Sequence, residues 1–303
     1  MDQPFPRPIF IAGPTAVGKS AVALELAELL DGEIISVDSM QVYRGLDIGT
    51  AKPSAAEQQR VRHHLIDVVD LRESFDAAQF ISLARAAAQE IQARGRRPIF
   101  CGGTGLYFKA YLEGLGEAPP RDPKVRGELE ALPMPALLDE LQRTDRATYE
   151  SIDRQNPRRV IRALEVIRLT GRPFSGQRAS WKPAAGPRIT WLTRPAGELL
   201  ERMQKRVDEM FRRGLVVETE SLLRQGLAEN PTALQALGYR QVVEHLRGKL
   251  GLAETIELVK IRTRQFAKRQ RTWFGRQLRL EEVSVAYAAA RDLARNAGRL
   301  DVG

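Results

Sequence analysis

The strongest constraint on this chain is the run Gly13-Pro14-Thr15-Ala16-Val17-Gly18-Lys19-Ser20, which satisfies G-x-x-x-x-G-K-[ST]. Before it, Ile9-Phe10-Ile11-Ala12 is a short apolar run; after it, residues 21–30 repeat apolar side chains at helical spacing. Strand, glycine loop and helix in that order turn successive N–H groups and a helix N-terminus toward an anion. Lys19 adds a point charge and the Ser20 hydroxyl can ligate Mg²⁺. The pattern calls for linked phosphates without saying which molecule carries them, so nucleotide hydrolysis does not follow from it.

The rest of the chain extends this start into an α/β fold. Residues 33–37, 65–69 and 98–101 read as further strands, and a helix over 76–94 stops at Gly95. Strands alternating with helices imply a P-loop NTPase-like parallel sheet flanked by helices. Between Pro119 and Pro187, prolines punctuate helical segments and no strand is evident, which predicts an inserted helical subdomain over 119–187. The core then comprises 1–118 plus 188–303, with a strand over 188–193 and a helical C-terminal region at 198–213, 215–225, 239–247 and 253–271. A lone Cys101 and three histidines provide neither a disulfide nor a zinc-binding spacing. No apolar run is long enough to span a bilayer and the N-terminus does not look like a secretion signal, so a cytoplasmic protein is expected. A net charge of +9 favours a polyanionic partner, although one basic face on any soluble protein would also produce it.

Asp38 follows the second strand, where open α/β sheets bind ligands. It suits a metal ligand, a general base, or the N-cap of a helix starting at Ser39, and position alone leaves the three open. Gly102-Gly103-Thr104-Gly105 follows another strand and lines the same edge, or is a plain tight turn. Residues 260–279 hold eight basic side chains and no acidic one, interleaved with Phe266, Trp273 and Phe274. That suits a phosphate backbone flanked by stacking rings, or a solvated helix whose aromatics pack in the core.

Six segments occur in one order: GPTAVGKS at 13–20, ISVDSMQVYRGLDIGTAKP at 35–53, CGGTGLYFKAYLEGL at 101–115, RRVIRALEVI at 158–167, LGYRQ at 237–241 and AKRQRTWF at 267–274. Together they resemble the bacterial tRNA dimethylallyltransferases over essentially the whole chain. The resemblance implies transfer of a dimethylallyl group from dimethylallyl diphosphate to the N6 amine of adenosine-37 beside a tRNA anticodon. Gly13, Pro14, Thr15, Ala16, Val17, Gly18, Lys19 and Ser20 would hold the diphosphate, with Mg²⁺ on Ser20. Thr15 would lie near the bridging oxygen, Asp38 at the adenine amine and Arg206 on the departing phosphates. For Arg206 the competing reading is a helix ion pair with Asp208 or Glu209, at spacings that face poorly. The tRNA contacts implied are Asp38, Ser39, Met40, Gln41, Thr104, Arg126, then Arg158, Arg159, Val160, Ile161 and Arg162. They continue with Gln235, Ala236, Leu237, Gly238, Tyr239 and Arg240, and end on Lys268, Arg269, Gln270, Arg271, Thr272, Trp273, Phe274 and Gly275. Among these Ser39, Gln41 and Thr104 suit reading the edges of a flipped base, while Tyr239 and Trp273 either stack on it or pack in the core. A monomer is expected. Three other functions stay in view: a small-molecule kinase, a prenyltransferase of free adenine nucleotides, and an RNA-binding nucleotide switch. The switch would need a base-specificity motif such as N-K-x-D, and the chain has none.

Overall fold

The computed structural model describes residues 6–116, 118–177, 187–285 and 291. β1 (Ile9–Ala12) runs through the glycine loop into α1 (Lys19–Leu29), followed by β2 (Gly32–Val37), α2 (Ala55–Arg60), β3 (His63–His64), α3 (Ala77–Ala93), β4 (Arg97–Gly102) and α4 (Gly105–Glu113). Next come α5 (Pro123–Glu130), α6 (Met134–Thr144), α7 (Arg146–Ser151) and α8 (Pro157–Thr170). The chain continues with β5 (Ile189–Thr193), α9 (Ala196–Arg212), α10 (Leu215–Arg224), α11 (Tyr239–Leu246), α12 (Leu252–Gln277) and β6 (Leu280–Ser284).

The strands form one parallel sheet in the order β3-β2-β4-β1-β5-β6. β2 and β4 are buried at every position, as parallel strands covered on both faces must be. One face packs on α1 through Val22, Ala23, Leu26 and Ala27 against Ile11, Ile34 and Ile99. Burying one such leucine stabilises the fold by about 1.5–3 kcal/mol. α3 begins with a capping box of Asp76 and Gln79 and stops before Gly95 at φ 72°. β1 and β4 are neighbours, yet β1 leads on to β2 on one side and β4 to β5 on the other. Ligands bind in the crevice at such a switch point, so the loops leaving β1 and β4 frame the site.

The third strand differs from the sequence expectation: β3 is His63–His64, not residues 65–69. Leu65 and Asp67 have φ of 62° and 54°, which breaks the extended run and leaves only an isolated bridge between Tyr43 and Val69. Helices α2 and α4 and strand β6 have no counterpart in the sequence reading, and α12 runs on to Gln277. The chain divides into two compact units, Met1–Leu112 with Ala185–Gly303, and Glu113–Ala184. The second unit has its own core of Leu129, Leu137, Leu141, Val160, Ile161 and Leu164. Its α8 starts at an Asn156 cap with Pro157 in the first turn and ends on Gly171 at φ 67°. Pro183 lies outside the described residues. Among the described residues, no helix is long and apolar enough to cross a membrane.

Candidate functional site

The glycine loop is tightly wound. Ala16 and Gly18 have φ of 65° and 109°, and a Cβ on Gly13 would lie 2.9 Å from Val17 Cγ1 and 3.0 Å from the Leu192 carbonyl. Lys19 Nζ donates to the Gly13 and Pro14 carbonyls, each at 3.0 Å. Three side chains brace the loop from outside it. Arg194 Nε donates to the Val17 carbonyl at 2.7 Å, and Arg202 Nε to the Ala16 carbonyl at 2.9 Å. Gln270, buried on α12, accepts the Thr15 N–H at 2.9 Å and donates to the Gly103 carbonyl at 3.0 Å. Sequence reading missed the roles of Arg194 and Arg202 and assigned Gln270 to tRNA. Arg194 did carry a signal, since it follows β5 as Asp38 follows β2.

Burial lowers the Lys19 ammonium to about 8; of its neighbours, Cys101 raises it, Arg206 lowers it and Asp38 raises it. Arg206 is lowered by burial too, with Asp38 opposing. Burial pushes the Cys101 thiol up to about 11, so at neutral pH it stays protonated and neutral. Lys19, Arg206 and Asp38, each partly buried, are therefore electrostatic neighbours, with cationic charge in excess. The ion pairs that would have occupied Arg206 go elsewhere: Asp208 pairs with Lys260 at 2.9 Å and Glu209 with Arg212 at 2.6 Å. Among the described residues, no carboxylate lies within ion-pair distance of Arg206.

At the end of β2, Asp38 Oδ1 accepts the Met40 N–H at 2.8 Å and the Gln41 N–H at 3.4 Å. This caps a turn, and no helix follows. The β4 loop is tied to the same place: Gly103 and Thr104 N–H donate to the Val37 carbonyl at 3.2 and 3.1 Å, and the Ser39 N–H donates to Thr104 Oγ1 at 3.0 Å. Gln41 is spent internally, accepting from Ser36 Oγ at 2.8 Å and donating to the Thr50 and Ala51 carbonyls at 3.2 Å each. Its amide is committed to the fold, whereas the half-buried hydroxyls of Ser39 and Thr104 make only a long contact with each other at 3.4 Å besides the Ser39 N–H that Thr104 Oγ1 accepts.

α12 buries Thr255, Val259, Thr263, Ala267, Gln270 and Phe274, a stripe at helical spacing. Lys268, Arg269, Arg271, Thr272 and Gly275 are exposed off that stripe. Phe274 is core, with its ring 4.8 Å from Trp191 and 5.8 Å from Phe108. Trp273 is half-buried against Gly105, where a Cβ would meet its ring at 2.1 Å, and it lines an open groove of about 530 Å³ with Lys268, Arg269, Thr272 and Arg276. Several residues expected to contact RNA have buried side chains. Gln270, Phe274, Tyr239, Ala236, Val160 and Ile161 are all buried, the last two in the core of the second unit. Gly238 is buried as well, and Leu237 half-buried, whereas Gln235 and Arg240 are exposed. In the second unit Arg158 and Arg159 are exposed. Arg162 there is held by Glu165 at 2.8 Å and the Pro119 carbonyl at 2.6 Å, and Arg126 by Glu130 at 2.9 Å.

Among the described residues no cluster of three or more acidic, histidine or cysteine side chains could cage a metal. The exposed Ser20 at the start of α1 is still compatible with Mg²⁺, which keeps most of its waters and takes few protein oxygens when phosphates supply the rest.

Residues 41–277 match the family model described as IPP transferase. The chain is 48% identical over 276 residues to tRNA dimethylallyltransferase 1 of Trichlorobacter lovleyi, covering 89% of this chain and 90% of that one. It is 44% identical over 298 residues to the tRNA dimethylallyltransferase of a Roseiflexus species, covering 96% of each. The crystal structure of the full-length tRNA isopentenylpyrophosphate transferase from Bacillus halodurans superposes with a TM-score of 0.71 at 37% identity, covering 98% of this chain and all of that one. A eukaryotic dimethylallyltransferase acting on tRNA gives 0.78 at 27% identity, covering 97% of this chain and 77% of that one.

Proposed function

The chain belongs to the IPP transferase family and is a prenyl-transferring enzyme, and we propose that it moves the dimethylallyl group of dimethylallyl diphosphate onto the N6 amine of tRNA adenosine-37. One observation carries the reading beyond the likeness. Lys19 at the start of α1 and Arg206 on α9, both lowered by burial, are electrostatic neighbours of the Asp38 carboxylate after β2, and two cations suit a diphosphate while the carboxylate suits a proton.

The lone pair of an exocyclic adenine amine is delocalised into the ring, so the nitrogen needs its proton removed as it attacks. In the proposed step the bond from N6 to the allylic carbon forms as the carbon–oxygen bond to diphosphate breaks. The amine proton passes to Asp38 Oδ2, the oxygen left out of the turn, and the bonding pair departs with the diphosphate. Lys19, Arg206 and loop N–H groups meet the charge that builds on the leaving group. Because its N–H is taken by Gln270, Thr15 contributes its hydroxyl, directed at the bridging oxygen. Ser20 would hold Mg²⁺, which when bound supplies further neutralisation of the diphosphate. Ser39 and Thr104 hydroxyls suit the edges of the flipped adenine, and Lys268, Arg269 and Arg271 suit tRNA phosphates.

The test is mass spectrometry of anticodon-loop nucleosides after incubation with tRNA, dimethylallyl diphosphate and Mg²⁺. Prenylated adenosine is expected, and Asp38→Asn should lower single-turnover transfer by roughly 100-fold with tRNA binding retained. An unmodified loop, together with ATP turnover in the absence of RNA, would replace this reading with a small-molecule kinase.

A further inference from the structure

The turn that follows Asp38 is anchored by two side chains from the C-terminal helices. Glu218 on α10 accepts the Ile48 N–H, at 3.1 Å to Oε1 and 3.0 Å to Oε2, and the Tyr239 O–H at 2.6 Å. Tyr239 Oη in turn accepts the Gly49 N–H at 3.1 Å. Its ring lies so close to Gly49 that a Cβ there would sit 2.3 Å from Tyr239 Cε2, so residue 49 must be glycine for the ring to seat. Immediately beyond, the Thr50 and Ala51 carbonyls hold the Gln41 amide, whose oxygen is held by Ser36 on β2. The Gln41 N–H, with that of Met40, holds Asp38 Oδ1. An unbroken series of hydrogen bonds and covalent links therefore runs from the buried LGYRQ tyrosine to the carboxylate.

We infer that Tyr239 and Glu218 are positioning residues for the transfer step: they fix the 46–51 turn, the turn fixes Gln41, and Gln41 fixes the direction in which Asp38 faces. This rests on Asp38 acting as the base. Reacting groups must be held closely, since a displacement of about 1 Å can cost up to roughly 100-fold in rate. The LGYRQ tyrosine would thus serve catalysis from inside the protein, without touching RNA.

A double-mutant cycle on the full-length chain tests this, with single-turnover transfer measured at saturating tRNA and diphosphate. Tyr239→Phe keeps the ring and removes only the hydroxyl. It should lower the rate roughly tenfold while the KM for diphosphate and the Kd for tRNA stay within about twofold. In an Asp38→Asn background the same change should cost less than about twofold, because the group it aims is gone. Equal factors in both backgrounds, or a normal rate for Tyr239→Phe alone, overturn the inference and leave the base assignment standing. A normal rate for Asp38→Asn removes both. Melting curves check folding, and if Tyr239→Phe does not fold, Glu218→Gln, of the same shape but a weaker acceptor, takes its place in the same cycle.

Discussion

Gln270 offers a sharp test of how the site is built. It is 6% exposed, and its amide joins the Thr15 N–H on the diphosphate loop to the Gly103 carbonyl after β4. Gln270→Leu keeps the bulk and removes both hydrogen-bonding atoms, leaving one buried donor and one buried acceptor without a partner. Each such group costs about 1–3 kcal/mol, so the variant should lose about 2–6 kcal/mol of stability. At about 2–4 °C per kcal/mol for a chain of this size, the melting temperature should fall by roughly 4–24 °C. The loop should also bind diphosphate less well, because its Thr15 corner is no longer held, while tRNA affinity should not change, because the side chain is buried. Thermal melts and calorimetric titration with dimethylallyl diphosphate and, separately, tRNA read all three quantities. A variant that melts within about 2 °C of the parent and binds diphosphate normally would refute the reasoning.

Other consequences are equally direct. With Lys19 lowered to about 8, its charge is present below that pH and lost above it, so kcat/KM for the diphosphate should decline as pH rises through about 8, and Lys19→Arg should move the decline beyond the assay range. Glu33, 1% exposed, is raised by burial but held down at about 2 by hydrogen bonds from Arg94 and His64. Its contribution is present above the ordinary 4.5 and lost as pH falls toward 2. Discounted for its half-exposed arginine partners, that contribution is about 2 kcal/mol, and Glu33→Gln should flatten the acid limb of melting temperature against pH. Replacing Lys268, Arg269 and Arg271 with alanine should reduce the salt slope of tRNA binding by roughly 0.7–0.9 per lost contact, with the KM for diphosphate unchanged. An intact triple variant with the parental slope would make α12 a merely solvated face.

What could be read in advance was whatever leaves a local mark. The glycine loop is legible because its positive-φ residues and the strand and helix around it are adjacent in sequence, and Asp38 because a strand end is a place as well as a residue. Gln270 reaches Thr15 across 255 positions, and Arg202 reaches Ala16 across 186, and no window of sequence contains such a pair. The third strand departs from expectation because Ile66, Val68 and Val69 resemble a strand, whereas Leu65 and Asp67 adopt positive φ and the Asp67 carboxylate pairs with the buried Lys52 side chain. β6 carries little apolar pattern and is a strand because its backbone pairs with β5 in register from Ile189 to Thr193. Trp273 and Phe274 show the same limit at one residue's separation. Both sit in a basic helix, yet Phe274 falls on the buried stripe and Trp273 beside it, so only the register of α12 decides which ring an RNA base can reach. A motif specifies that a residue type is needed, and the partner that needs it is set by packing. Tyr239 sits in a segment expected to touch tRNA, but its hydroxyl is divided between Glu218 and Gly49, which makes its service to the reaction a matter of geometry passed through the protein.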